Sequence, residues 1–442
     1  MSKRTRKPQL PAPVEQINVE SLAHDGRGVA RVEGKTVFIE GALPGEQVGF
    51  AYLATHKSFD EAQATVIHQA SPDRVDPRCA HYGVCGGCSL QHLQADAQIR
   101  ARQQVLLDSL QRIGHVTPAT VLEPMTAPVW GYRSKARLGV KHVIKKGRVL
   151  VGFREKRAPY LADLSRCEVL HPSVGEQLPA LCELIAQLDA RARIPQIEVA
   201  VAEEVTALVF RHLDPLSAPD RGRLQAFARQ QGFHVYLQPA GPDSIHPLEP
   251  TDSVLAYQLP ELAVGIRFLP GDFTQVNRAI NRQMVARVLD MLALDRTDTV
   301  LDLFCGLGNF TLPMARLAGQ VTGVEGEAGL VARATDNAML NGLDNVTFHV
   351  ANLFEDQRNT AWAGIAYNKV LLDPPRSGAA EILPVVGNIR PERIVYVSCH
   401  PGTLARDAGM LVSAYGYRLR AAGVMDMFPH TAHVESIALF ER

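Results

Sequence analysis

The sequence predicts an α/β protein: a C-terminal doubly wound, Rossmann-like sheet, preceded by a small OB-like β-barrel and a central α+β domain. Three observations predict it. From about residue 266 onward, strand-like runs such as VLDLF, VTGVE and IVYVS alternate with helix-length stretches, the pattern of a parallel sheet covered on both faces. Between residues 14 and 68 the short runs INVESLA, GRGVARV, KTVFIEG and EQVGFAYLA are split by Asp25-Gly26, Glu33-Gly34 and Pro44-Gly45, the spacing of a small barrel. The stretch between mixes helical and strand patterns without a single period. The chain divides accordingly into 1–13, a basic flexible arm; 14–70, the barrel; 71–265, the central domain; and 266–442, the doubly wound sheet.

The totals limit the partners. Among 442 residues, 46 Lys and Arg balance 46 Asp and Glu, so any surface for nucleic acid has to be local. No apolar run is long enough to span a bilayer, and the basic start MSKRTRKPQLPAP is followed by no apolar core of a signal peptide. The chain reads as cytoplasmic, where its seven cysteines stay reduced. Clustered cysteines then point to metal or catalysis.

In chain order, Lys3, Arg4, Arg6 and Lys7 make the arm either a solvated tail or a phosphate contact. The barrel is either a spacer or a single-strand-binding face. Cys79, Cys85 and Cys88 form C-x5-C-x2-C with Gly83, Gly86 and Gly87 between them, and Cys167 is either the best fourth thiol or an ordinary core cysteine. Zinc and an iron–sulfur cluster both accept four thiolates, so spacing leaves the metal open. Residues 93–113 carry a helical period. From Gly131 to Arg157 there are ten Lys or Arg and one acid, Glu155, interleaved with Tyr132 and Phe153. That is a basic, ring-bearing face suited to RNA, or else a charged sheet edge. Residues 174–265 carry no motif.

The C-terminal part holds the chemistry. GDFTQVN at 271–277 leads into a helix. DLFCGLG at 302–308 follows a strand but has Thr311 where a dinucleotide fingerprint needs its third glycine. Glu325, Asn352 and Asp373 end the next three strands. Polar residues at successive strand ends on one sheet edge match an S-adenosylmethionine site; an NAD site would want the missing glycine. Cys399 ends the strand in IVYVSCHPGTLARD, against the break at His400-Pro401-Gly402. Taken alone it is a packing cysteine or a nucleophile.

The set FTQVN, DLFCGLGNF, DPPRSG, SCHPGTLARD and HTAHVES resembles the RNA (uracil-C5)-methyltransferases, and Gly26–Arg31 with Gly41–Glu46 resembles a TRAM domain. With the cysteine spacing, the pattern is closest to members that methylate a uridine of 23S ribosomal RNA; the tRNA-directed relatives are expected to lack barrel and cysteines. The resemblance implies S-adenosylmethionine held by Gln275, Phe304, Asn309, Glu325, Asn352 and Asp373. It implies a [4Fe–4S] cluster on Cys79, Cys85, Cys88 and Cys167. It implies Cys399 as nucleophile, Glu435 as general base, an rRNA partner, no membrane, and a monomer. His400 departs from the family's usual Asn. The chemistry needs such a pair. Uracil C5 is a poor nucleophile until a thiolate adds at C6, and a base must then remove the C5 proton.

Overall fold

The computed structural model describes residues 10–442. Lys3, Arg4, Arg6 and Lys7 of the expected arm lie outside the described residues. Compactness divides the chain into two units: residues up to Arg102 with His430–His433, and Gln103–Pro429 with Val434–Arg442. The segment 71–265 is therefore shared, with 71–102 in the first unit.

The first unit holds β1 (Val14–Asn18), β2 (Ser21–Leu22), β3 (Gly28–Val32), β4 (Lys35–Glu40), β5 (Gln47–Thr55) and β6 (Phe59–Gln69), in one sheet ordered β1-β5-β6-β4-β3-β2. Inward positions alternate as a half-buried strand requires: Val37 and Ile39 of β4 are buried while Thr36, Phe38 and Glu40 are not. Val19, Ala30, Val48, Phe50 and Ala62 complete that core. The longest strand, β6, was not legible in the sequence. Its run FDEAQATVIHQ buries only Asp60 and Ala62, so it shows no apolar alternation. After the barrel, buried Glu46 accepts from the N–H groups of Leu43 and Ser71 and pairs with Arg74, which ties residues 71–74 to the sheet.

Helix α1 (Ala95–Arg112) carries the chain out of the first unit. In the second lie β7 (Thr120–Val121), β8 (Lys135–Val143), β9 (Arg148–Gly152), α2 (Pro172–Gly175), α3 (Leu178–Gln187), β10 (Gln196–Val201), β11 (Thr206–Arg211), α4 (Ala218–Gln231), β12 (Phe233–Gln238) and β13 (His246–Glu249). Their main sheet runs β13-β12-β11-β10-β8-β9. A hairpin of β14 (Leu255–Leu259) and β15 (Val264–Phe268) follows. Then come α5 (Arg278–Leu292), β16 (Thr299–Leu303), α6 (Thr311–Leu317), β17 (Gln320–Glu325), α7 (Ala328–Leu340), β18 (Val346–Val350), β19 (Lys369–Leu372), α8 (Leu383–Ile389), β20 (Arg393–Ser398), α9 (Pro401–Ser413), β21 (Arg418–Met425) and β22 (Glu435–Glu441).

The predicted doubly wound sheet is present, ordered β18-β17-β16-β19-β20-β22-β21-β7. Strands β16 to β20 are mutually parallel and β22 is antiparallel to both neighbours. Chain order reverses between β16 and β19, and such a switch point opens a crevice at the strands' carboxyl ends. One apolar cluster continues from Val209 and Ile266 through Met284 and Val300 to Ile437, so the three sheets of this unit share a core.

Candidate active site

The carboxyl ends of β16, β17, β19 and β20 open into a cleft of about 580 Å³. Every one of the eight cofactor and catalytic residues expected from the sequence lines it: Gln275, Phe304, Asn309, Glu325, Asn352, Asp373, Cys399 and Glu435. Tyr257, Phe273, Phe354, Arg376 and Phe428 also line it, and sequence reasoning had given them no role. Of these, Phe273 and Arg376 stood in recognisable motifs, FTQVN and DPPRSG; Tyr257 sits in a hairpin strand with no signal of its own.

The loop after β16 lets backbone approach a ligand. Phe304, Gly306 and Gly308 have φ of 69°, 54° and 89°, a conformation open to glycine and costly for phenylalanine. Glu325, at the end of β17, accepts from the N–H groups of Gly306, Gly326 and Glu327. A carboxylate has about four lone-pair sites, so capacity is left for a hydroxyl. Asn309 is more committed than expected. Its Oδ1 accepts from the Tyr257 hydroxyl and from the Asn281 amide, and its own amide donates back to Asn281, each at 2.9 Å. Beneath the loop, Asp302 is fully buried and accepts from the Thr311 hydroxyl at 2.5 Å. Burial pushes its carboxyl up to about 8.

Two motifs, DPPRSG and TLARD, turn out to be one device. The Thr403 hydroxyl donates to the Arg376 carbonyl (3.2 Å) and Arg406 to the Ser377 carbonyl (2.9 Å). Asp407, fully buried in α9, accepts from the Ala379 N–H (2.7 Å) and the Tyr396 hydroxyl (2.6 Å). Gly378 has φ of 83°, and a Cβ there would meet Arg406 and Asp407 at 2.5 and 2.7 Å. The helix after Cys399 therefore fixes the loop that carries Asp373 and Arg376. His400 caps this helix: its Nδ1 accepts from the Thr403 N–H at 3.2 Å. A ring nitrogen thus does the capping that the usual Asn can do with its amide oxygen.

Cys399 and Glu435 are brought together by strand register. In the β20–β22 ladder Ser398 pairs with Ser436, and one step further along the same antiparallel register sets Cys399 opposite Glu435. Both sit in an acid-rich environment. Burial, then the charges of Glu435 and Asp373, push the Cys399 thiol up to about 11, opposed by Arg376. Burial and Asp373 raise Glu435 to about 8, again opposed by Arg376. Burial raises Asp373 to about 7. The Cys399 thiol, Glu435, Asp373 and Arg376 share the cleft, which Glu325 also lines.

The cysteines expected to bind metal are split in sequence between the units. Cys79, Cys85 and Cys88 lie in the first and Cys167 in the second, all half-buried. The Gly87 N–H donates to the Cys85 sulfur at 3.4 Å, a contact that suits a thiolate. Among the described residues no group of three or more His, Cys, Asp and Glu is gathered as a formed metal site. The donor set fits thiolate ligation in kind.

The surfaces expected to meet nucleic acid differ in detail from the sequence reading. On β8 the alternation holds: Ala136, Leu138 and Val140 are buried, Arg137 and Lys141 exposed. But Arg137 is paired with Glu198, and Arg148 with Asp163. Lys135 is mostly buried, which lowers its amine to about 8. Lys146 shares Asp163 with Arg148, at 3.7 Å, and the other exposed charge around the turn between β8 and β9 is at Lys141 and Lys145. In the first unit the His56 ring stacks on Phe59 (4.4 Å) and Phe59 meets Phe38 edge-on (5.6 Å). Arg27 lies 4.7 Å over the Phe38 ring.

Residues 204–442 match the family described as tRNA (uracil-5-)-methyltransferase, and residues 14–49 match the TRAM domain. The 23S rRNA (uracil(1939)-C(5))-methyltransferase RlmD of Methylococcus capsulatus is 56% identical over 443 residues, covering 100% of both chains. The RlmD of Alkalilimnicola ehrlichii is 53% identical over 440 residues, 99% of this chain and 98% of its own. Among solved structures, the Pyrococcus abyssi tRNA (uracil-54, C5)-methyltransferase in complex with S-adenosyl-L-homocysteine superposes with a TM-score of 0.73 at 23% identity, over 96% of this chain and 100% of its own. That neighbour shares the fold along nearly the whole chain. The expectation that tRNA-directed relatives lack the N-terminal barrel does not hold for it.

Proposed function

The chain belongs to the tRNA (uracil-5-)-methyltransferase family, and from that premise we propose that it methylates C5 of a uridine in 23S ribosomal RNA. The target is the uridine that the names of its full-length relatives place at position 1939. The observation that carries the reading is the placement of Cys399 opposite Glu435 in a cleft whose other strand ends suit an adenosine-bearing ligand. Mass spectrometry of 23S rRNA from cells with and without this protein tests it. Loss of one 5-methyluridine is expected, and unchanged rRNA overturns the reading. The protein acts as a monomer in the cytoplasm, where its substrate is; no described helix is long and apolar enough to cross a membrane.

S-adenosylmethionine, when bound, supplies an electrophilic methyl group on a positively charged sulfur. Glu325 would hold the ribose hydroxyls with its remaining acceptor capacity, and Phe304, Asn352, Asp373, Gln275 and Asn309 would complete that site. The Cys399 thiolate adds to C6 of uracil, and electron density passes through the ring to C5 and O4. Once C5 carries a methyl group, Glu435 takes the C5 proton, and the electron pair re-forms the C5–C6 double bond as the Cys399 sulfur leaves.

The buried acids give this scheme a pH dependence. Glu435 must be ionised to accept a proton, and its raised value near 8 keeps it protonated below that pH. Single-turnover product release is therefore expected to climb between about pH 6 and 8 and to be lost as pH falls through that window. A release rate flat over pH 6–9 rules out this environment for the base.

A [4Fe–4S] cluster on Cys79, Cys85, Cys88 and Cys167 is supported by the donor set and its N–H···S contact. Anaerobically purified protein is expected to be brown, with about four irons per chain. Zinc without iron refutes the cluster.

RNA is gripped at the β8–β9 turn and on the barrel's aromatic face. Replacing Lys141 and Lys145 with alanine should weaken RNA binding and shallow its salt dependence by about one unit for each phosphate no longer engaged. His56→Ala should cost roughly 1–3 kcal/mol of single-strand affinity if a base stacks on its ring. Titrations with an RNA fragment across a salt series check both, and unchanged affinity in all variants counts against these surfaces.

A further inference from the structure

The four residues just before the base belong to the first unit. His430–His433 is too short for secondary structure of its own, and hydrogen bonds to residues 89–102 hold it. His430 has φ of 65°, an uncommon backbone state for a side-chain-bearing residue, and is 4% exposed. Gln98 is fully buried beside it. Its Oε1 accepts from the His430 N–H at 2.9 Å, and its amide donates to the carbonyls of Leu90 (3.0 Å) and Leu93 (2.8 Å) and lies 3.2 Å from His430 Nδ1. The His430 carbonyl accepts from the N–H groups of Ser89 and Leu90, at 2.9 and 3.0 Å. Arg102 donates to the Thr431 carbonyl at 2.7 Å. Val434 returns to the second unit, and the next residue is Glu435, the first of β22.

We propose that Gln98 is a positioning residue for Glu435: by fixing His430 in its left-handed conformation it sets where the chain enters β22, and so where the base stands. The inference rests on the reading of Glu435 as the base that removes the C5 proton. Gln98 is not among the residues that line the cleft; it acts through the backbone of 430–434. Ser89 and Leu90 directly follow Cys88, so the cysteine loop leads into the same fastening. The arrangement has a physical reason. Glu435 needs to face a cleft from the start of a strand, where a ladder constrains it from one side only, and the turn before it supplies the other constraint.

Removing the fastening should leave addition intact and slow elimination. Gln98→Met keeps the buried volume and removes both hydrogen-bonding groups; Arg102→Met loosens the same turn from its other carbonyl. With labelled S-adenosylmethionine and a transcript bearing the target uridine, each variant should release methylated RNA about tenfold or more slowly, within the 10²–10⁴ that a placed base contributes. Labelled protein–RNA adduct should accumulate on denaturing gels. Trapping on 5-fluorouridine RNA and cofactor affinity should stay within about threefold of wild type, since neither step uses the base. If Gln98→Met does not fold, Arg102→Met carries the test alone. Release at the wild-type rate in the folded variants overturns the proposal, and so does an equal loss of trapping and release, which would mean a merely structural role. A wild type that forms no adduct with 5-fluorouridine RNA overturns it together with the reading beneath it.

Discussion

Cys399→Ala is expected to abolish methyl transfer, with a rate loss on the order of 10⁴-fold or more, or about 5 kcal/mol of the barrier. The reason is chemical: without a sulfur at C6, uracil C5 has no electron density to offer a methyl group. No other thiol can replace it. Cys305 also lines the cleft, but it is 4% exposed in the loop after β16, and burial drives its thiol upward. The variant should fold, because removing one half-buried sulfur costs at most about 1 kcal/mol. It should bind S-adenosylmethionine normally, since Glu325, Asn352 and Asp373 stand on other strands. Activity is read as label transferred to RNA, folding as the melting temperature, and cofactor affinity by calorimetry. A Cys399→Ala protein that retains a tenth of wild-type turnover makes the cysteine a packing residue.

Glu435→Gln fails differently. With the proposed nucleophile intact, addition and methylation should proceed, and the enzyme should stall with methylated RNA attached through Cys399. Release should slow by about 10²–10⁴. The amide also removes one of the two negative charges that raise the Cys399 thiol. Free Glu435→Gln protein should therefore react with iodoacetamide faster than wild type at pH 8. A structural role for Glu435 predicts no accumulated adduct.

The site was legible because polar residues at strand ends have few other uses. Glu325, Asn352, Asp373 and Cys399 each end a run of apolar strand residues, and a parallel sheet brings such ends to one edge. What stayed hidden was interaction between motifs. Nothing in TLARD announces that Asp407 holds the Ala379 N–H 28 positions earlier, because a buried Asp on a helix reads like any other acid. Asn309 read as a ligand contact, and its amide pair with Asn281 depends on how α5 lies against the loop. The β6 strand escaped because its pairing is specified by backbone and not by apolar alternation. The basic stretch 131–157 was found, but its neutralisation by Glu198 and Asp163 comes from strand neighbours that local charge counting does not see. Likewise, no pattern in HTAHVES marks its first four residues as belonging with residues 89–102.

The ladder that sets Cys399 opposite Glu435 restricts where this chain can change length. Side chains alternate between the faces of a strand, so a single residue inserted at the start of β22, between Glu435 and Ser436, would shift the carboxylate by one position and turn it to the other face of the sheet. A two-residue insertion there would restore the face but carry the carboxylate roughly 7 Å along the strand, away from the sulfur. The exposed turn between β8 and β9, by contrast, can lengthen without disturbing any pair in the catalytic sheet. Insertions and deletions are thus admissible in the turn between β8 and β9 and forbidden in the last strand, so that surface can be re-proportioned while the spacing of Cys399 and Glu435 stays fixed.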